Sequence, residues 1–369
     1  MRFLECVDLN PKIVMIKGQI YPFVEMANVS TCYRSPDNVD AKPFDSGVKF
    51  QDGDTVIARI TPCLQNGKRF YCQNIGTGFG STEYLVFRPK DDSVDSKYLY
   101  YFMMTDFVKL SMINSMTGAT GRQRVNNDVF NDIEVCFPDI DIQRKIGEIL
   151  SAYDNLIENN QKQIKLLEEA AQRLYKEWFV DLRFPGYEDT PIVDGVPEGW
   201  EKVGLASIAP IVTGKKDANF GTPDGKYLFF TCAQEPIRAP SYSFDCNAVI
   251  LAGNGDFNVK LYRGQFEAYQ RTYVFSPNET KHLYLLYHAV RESMRQLFQG
   301  ASGSTIKFLT KHMLEDITVF VPDKDTLNAF KNVCDAIQKK IECLKAQIMY
   351  SQESRDRLLP KLMSGEIEV

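Results

Sequence analysis

The sequence is short of the residues that usually announce chemistry. Its 369 residues hold only three histidines, His282, His288 and His312, all in the second half, so a histidine site repeated in each half is excluded. The nine cysteines include no CxxC pair. An odd, scattered set argues for reduced thiols packed as small hydrophobes and against a disulfide framework or a zinc site. No apolar run approaches the roughly 18 to 20 residues of a membrane span. The opening "MRFLECVDLN" lacks the basic-then-apolar layout of a signal peptide, so a cytosolic protein without membrane contact is expected. Catalytic motifs are missing too. "IGTGFGS" from Ile75 has glycine spacing but no helix pattern behind it, which predicts a glycine-rich hairpin and not a nucleotide-binding turn. "TGKKD" from Thr213 lacks the upstream glycine of a phosphate-cradling loop and the Ser or Thr after its lysine. No Asn-Pro-Pro-aromatic or Asp-Pro-Pro-aromatic box is present to hold a target amine, and the PD dipeptides at Pro36 and Pro223 have no Glu-x-Lys partner for a metal nuclease. A non-catalytic chain is expected, with no metal and no cofactor of its own.

What is present is ordinary for a soluble globular chain: 44% hydrophobic and 25% charged residues, enough for two or three domains with real cores. The net charge of -5 is concentrated, because residues 181 to 200 hold five acids and one base. The flanking segments are near neutral, which permits basic faces for nucleic acid.

The most informative feature is an internal repeat at an offset of 184 residues. "FPDIDIQRKIGEILSAYDNLIENN" from Phe137 returns as "VPDKDTLNAFKNVCDAIQKKIECL" from Val321, and "SKYLY" at Ser96 returns as "TKHLY" at Thr280. Within the first copy Ile146, Leu150, Tyr153, Ile157, Asn160, Ile164, Leu167, Ala171, Leu174 and Trp178 step by alternating fours and threes, a heptad seam. The second copy places Phe330, Cys334, Ile337, Ile341, Leu344, Ile348, Ser351, Arg355, Leu358 and Leu362 on the same seam, two of them polar. Each helix should start just after a proline, Pro138 or Pro322, with Asp139 or Asp323 at its first turn, and the second should stop at Gly365. A rod of roughly 50 Å needs a partner, and the other copy is the simplest one. Asn160 either sets register in that pairing or faces solvent. Ahead of each helix, "VKFQDGDTVIARI" and "AVILAGNGDFNVKLYRGQFEAYQRTYVF" alternate short β runs with Gly-Asp and Asn-Gly turns.

The organisation read from these patterns is a first domain over 1–138, a long helix over 139–180, a Pro/Gly/acid-rich linker over 181–199, a second domain over 200–322, and a last helix and tail over 323–369. The fold class is α+β, with two similar α+β domains separated by two long helices packed as an antiparallel coiled coil. Internal pseudo-two-fold symmetry is expected, because the modest linker folds the second domain most naturally beside the far end of the first helix.

"FPDIDIQRKIGEILSAYDNLIENNQKQIKLLEEAAQRLYKEWFVDLRF" resembles the central conserved region of specificity subunits of type I restriction-modification enzymes, and "SRDRLLPKLMSGEI" resembles their C-terminal ending. "GDTVIARITPCLQNGKRF" with "GFGSTEYLVFRP" resembles a first target-recognition domain; "YLFFTCAQEPI", "GNGDFNVKLYRGQFEAYQRTYVF" and "VPEGWE" resemble a second. The chain departs at Asp141-Ile142-Gln143, where a Glu-Gln pair is common, and at Thr326-Leu327-Asn328 in the second copy. The resemblance implies a subunit without activity of its own that binds double-stranded DNA and joins two modification subunits, which use S-adenosylmethionine to methylate adenine. Motor-nuclease restriction subunits using ATP and magnesium complete the restriction enzyme. Two similar but unequal domains would read an asymmetric, bipartite target. The competing expectation is a coiled-coil adaptor that binds proteins alone.

Lys and Arg supply phosphate contacts, and Arg, Lys, Asn and Gln read base edges. In the first domain the candidates are Arg59, Lys68 and Arg69 in "ARITPCLQNGKRF" and Arg122, Gln123 and Arg124 in "TGATGRQRVNN". The matched place in the second domain, "ASGSTIKFLTK", offers Ser304, Thr305 and Lys307, and nearby turns add Lys215, Lys216, Asn254, Asn258, Lys260, Arg263 and Arg271.

Overall fold

The structure, a computed structural model, describes every residue except 256, 302 and 304–306. Contacts gather the chain into two compact units, one of Met1–Ile164 with Cys343–Val369 and one of Lys165–Glu342. The architecture is α+β, and each unit holds one β-rich domain together with a segment of either long helix.

In the first unit the chain enters beside the segment by which it leaves. Arg2 bridges Glu134, and the Val135 amide donates to the Met1 carbonyl. A short helix, Phe3–Cys6, then leads to an antiparallel sheet ordered Val7–Leu9, Tyr84–Pro89, Thr55–Ala58, Arg69–Tyr71. The second unit repeats this plan: Glu201–Gly204 pairs with Thr318–Val321, a short helix covers Leu205–Ile208, and the sheet runs Ile211–Thr213, Thr272–Phe275, Phe244–Ala252, Val259–Ala268. The duplication therefore reaches back through the sheets, where sequence identity between the halves has faded. The sheets then diverge. In the second domain Tyr227–Phe230 and Ile237–Ala239 extend the same sheet to six strands, whereas the first domain builds a separate four-stranded sheet of Asp40–Pro43, Ile20–Val24, Gly78–Gly80 and Val48–Phe50.

The stretch expected as a glycine hairpin is thus an inner strand, parallel to Ile20–Val24 and antiparallel to Val48–Phe50. Its glycines make room for neighbours: a Cβ on Gly80 would lie 2.5 Å from the Val24 carbonyl oxygen and 2.6 Å from the Tyr84 ring.

The long helices span Ile140–Tyr175 and Lys324–Met363. Asp323 caps the second, accepting from the Thr326 amide at 3.0 Å and its hydroxyl at 2.6 Å. The first is fastened differently. Gln143, 1% exposed, donates to the carbonyls of Ser93 and Pro138 and accepts from the Asp95 amide, so it ties the helix start to the domain. Gly365, at φ +74°, closes the second helix.

Within the first unit the helix segments run antiparallel. Ile146 and Leu150 share a core with Leu358, Leu359 and Leu362, and Asn160 donates across to Gln347. Asn160 is 2% exposed, a buried polar contact between helices. Ile157, Ile341, Leu344 and Ile348 are buried, while Tyr153, Ile164, Leu167 and Ile337 are half-buried. In the second unit Phe330 is buried against Trp178, Phe179 and Tyr175. At both far ends the buried face has moved on by one residue: Tyr175 and Phe179 are more deeply buried than Leu174 and Trp178, and Leu359 more than Leu358. A helix with 3.6 residues per turn drifts about 20° per heptad from a 3.5 repeat. Four heptads therefore bring the next residue onto the face.

Candidate nucleic-acid interface

In the second domain the paired strands Phe244–Ala252 and Val259–Ala268 lead into Gly253, Asn254 and Gly255 on one side and Phe257 and Asn258 on the other, and other loops close on these residues. The Gly253 amide donates to the Arg271 carbonyl and its own carbonyl accepts from Leu309, both at 2.8 Å. A Cβ on Gly253 would sit 2.5 Å from that Arg271 oxygen, so the close approach requires glycine. Asn254 bridges Phe308, and the Gly255 amide reaches the Lys307 carbonyl at 3.2 Å. Asn258 donates to the Cys232 carbonyl at 3.0 Å, and Lys260 donates to Ala233 and to the Asn258 side chain. Burial holds the Lys260 ammonium below its ordinary pKa. Lys216 bridges Tyr269 and lies over the Phe220 ring. Lys307 lies 4.0 Å over the ring of the half-exposed Phe298.

Asn254, Asn258, Lys260, Arg271 and Lys307 are thus brought to one loop cluster, with Lys215 and Lys216 on the strand-end loop bonded to it; Lys215 and Arg271 are exposed. Arg263 is elsewhere. It sits mid-strand and donates to the Tyr284 hydroxyl at 2.5 Å and to Asp335 at 3.2 Å. Ser304 and Thr305 lie outside the described residues.

The first domain bridges the same pair of loops. Ile60 bridges Arg124, the Thr61 amide donates to the Gln123 carbonyl, and the Gln123 amide returns a bond to the Thr61 hydroxyl, each at 3.0 Å. Arg59 donates to the Val125 carbonyl, which holds the base of the loop. At the offset of 184, Gln123 matches Lys307 and Arg124 matches Phe308, so two domains of different sequence present one loop arrangement. Arg122 is exposed there. Arg124 grips Glu83 through both Nε and Nη2, at 2.6 to 2.9 Å, and this pairing holds the Glu83 carboxyl below its usual pKa. Lys68 donates to the Met26 carbonyl at 2.7 Å and Arg69 to that of Gly67, so both are turned into their own domain.

Sequence reasoning missed Glu83, which lies 41 residues from Arg124, and the aromatics Phe298 and Phe308 beside Lys307. The apolar flank of the lysine in "IKFL" was the available signal for Phe308. Among the described residues no group of three His, Cys, Asp or Glu comes together as a metal site, and no helix is long and apolar enough to cross a membrane.

Two β-rich domains, each fused to a long helix and each presenting a polar, basic pair of bridged loops, define a duplicated binding protein. Residues 16–169 and 197–345 match the type I restriction modification DNA specificity domain, and the chain belongs to that family. It is 36% identical over 176 residues to the type I restriction enzyme EcoDI specificity subunit of Escherichia coli, a match covering 47% of this chain and 39% of that one. With the MjaIX specificity subunit of Methanocaldococcus jannaschii it shares 26% identity over 314 residues, 76% of this chain and 71% of that one. The crystal structure of a type I restriction-modification S subunit from M. genitalium has the same fold, with a TM-score of 0.56 at 15% identity over 98% of this chain and 95% of that one.

Proposed function

We propose that the chain is the DNA-reading subunit of a type I restriction-modification complex. Each domain reads one half of a bipartite, asymmetric double-stranded target, and the long helices space the domains and seat two modification subunits. The observation that carries this reading is the loop pair built twice, with exposed cations at each copy: Arg122 in the first domain, Lys215 and Arg271 in the second. The shared frame supports two readers of one kind, and the different side chains on it support two different half-sites. The chemistry belongs to the partners: methyl transfer from S-adenosylmethionine by the modification subunits, ATP- and magnesium-dependent translocation and cleavage by restriction subunits. In this reading the chain itself supplies recognition and assembly.

The test is a domain replacement. Residues 1–138 are exchanged for the first domain of a relative, and the methylated motif is sequenced in cells that also make the modification subunit. One half of the motif should change and the other should stay. A change in both halves would overturn the assignment of one half-site to each domain.

A further inference from the structure

Each domain is locked to its long helix by a buried tyrosine that donates to a helix aspartate, and the two locks are not copies of each other. In the first unit the Tyr101 hydroxyl, on the helix Ser96–Phe102, donates to Asp154 at 2.5 Å. Asp154, 1% exposed, also accepts from Arg355 of the antiparallel helix at 2.5 Å. Beside it, Arg34 donates to the adjacent Asn155 at 2.6 Å and, one turn on, to Glu158 at 3.2 Å, and Ser35 donates to the other Glu158 oxygen. In the second unit Tyr284 donates to Asp335 at 2.8 Å, with Arg263 of the central sheet and Lys331 on the same carboxylate.

The repeat does not account for this agreement. At the offset of 184 the partners of Tyr101 and Asp154 are Leu285 and Gln338, and those of Tyr284 and Asp335 are Tyr100 and Ser151. The locks differ by one residue on the domain helix and by three on the rod. One residue turns a helix face by about 100°, so the same contact is built from a different setting in each half. The two contacts therefore occupy different positions of the repeat while joining the same kinds of side chain. Hydrogen bonds from a buried tyrosine to a carboxylate are directional and are costly to leave unmade, which suits them to holding one orientation, although Asp335 is only half-buried where Asp154 is fully buried.

We infer that Tyr101–Asp154 and Tyr284–Asp335 are positioning pairs that set the angle of each domain on its rod, and so hold the spacing between the two half-sites to a single base-pair count. The inference rests on the proposed reading of a bipartite target. The experiment uses the full chain in complex with its modification subunits, as wild type, Tyr101→Phe and Tyr284→Phe, against duplexes whose gap is the native length or one base pair longer or shorter. Phenylalanine keeps the ring packing and removes only the hydroxyl. Both half-sites should be read as before, while methylation of the off-length duplexes relative to the native one rises about tenfold, the scale of one hydrogen bond to a charged group. Activity that falls equally on every gap length, or an unchanged gap preference, would reduce the pairs to ordinary packing and overturn the inference. Tyr284→Phe decides the matter if the Tyr101→Phe complex fails to assemble, because Asp335 keeps Lys331 and Arg263. A wild-type complex that methylates no bipartite target would instead overturn the reading beneath.

Discussion

One methyl group at position 80 is enough to test how tightly the first domain is built. The alanine Cβ of Gly80→Ala would meet the Val24 carbonyl oxygen and the Tyr84 ring inside normal contact distance, in a strand hydrogen-bonded on both sides. Overpacking of this kind costs about 1 to 3 kcal/mol. Urea unfolding of Gly80→Ala should show that loss; an unchanged midpoint and slope would mean that the strand gives way freely. The same scale explains what charge counting could not assign. Arg122 and Arg124 are two residues apart in one loop, yet Arg122 is exposed and Arg124 is held by Glu83. Which arginine stays available depends on a carboxylate brought over from a distant strand turn.

A change in the length of a long helix tests the spacing of the half-sites. Four residues inserted after Gln161 would lengthen the first rod by about 6 Å, close to two base-pair steps of about 3.4 Å. The methylated motif should keep both halves and gain a longer gap, with reduced activity because the insertion also rotates the seam and disturbs its heptad pairing. An unchanged gap in an active complex would show that the helices do not set the spacing. The polar residues on the seam are buried within the pairing. Ser351 and Arg355 read in sequence as breaks in an apolar stripe, but both are buried, and Arg355 answers a carboxylate on the facing helix.

Across the whole molecule, the histidines are confined to one unit. All three histidines belong to Lys165–Glu342, and His288 is buried among Tyr175, Tyr287 and Phe330, with its Nδ1 2.8 Å from the Gln172 side-chain oxygen. Burial, with Arg291 adding to it, pushes its pKa down to about 3. An unfolded histidine titrates near 6.5. Below that pH the unfolded chain takes up a proton that the folded unit refuses, so this contribution to stability is complete above about 6.5 and is lost as pH falls towards 3. Burial shifts His282 the same way. Hydrogen exchange read by mass spectrometry at pH 7, 5.5 and 4.5 should show the second unit loosening before the first. His288→Gln should shrink the difference; equal loosening of both units would refute it.

Periodicity and repetition are local properties of a chain, and they sufficed for two long helices, their start after each proline, the seam through Ile146 and Leu150, the α+β class and the duplicated plan. Apolar spacing determines which face of a helix must be buried, and a proline restricts the residue before it whatever surrounds it. The locks of Tyr101 on Asp154 and Tyr284 on Asp335, the strand made from "IGTGFGS", and the diversion of Arg263 from the loop cluster to the rod were decided only in three dimensions. Each joins residues far apart in the chain, and a side chain's bonding partner depends on which distant strand or helix folding brings within about 3 Å of it.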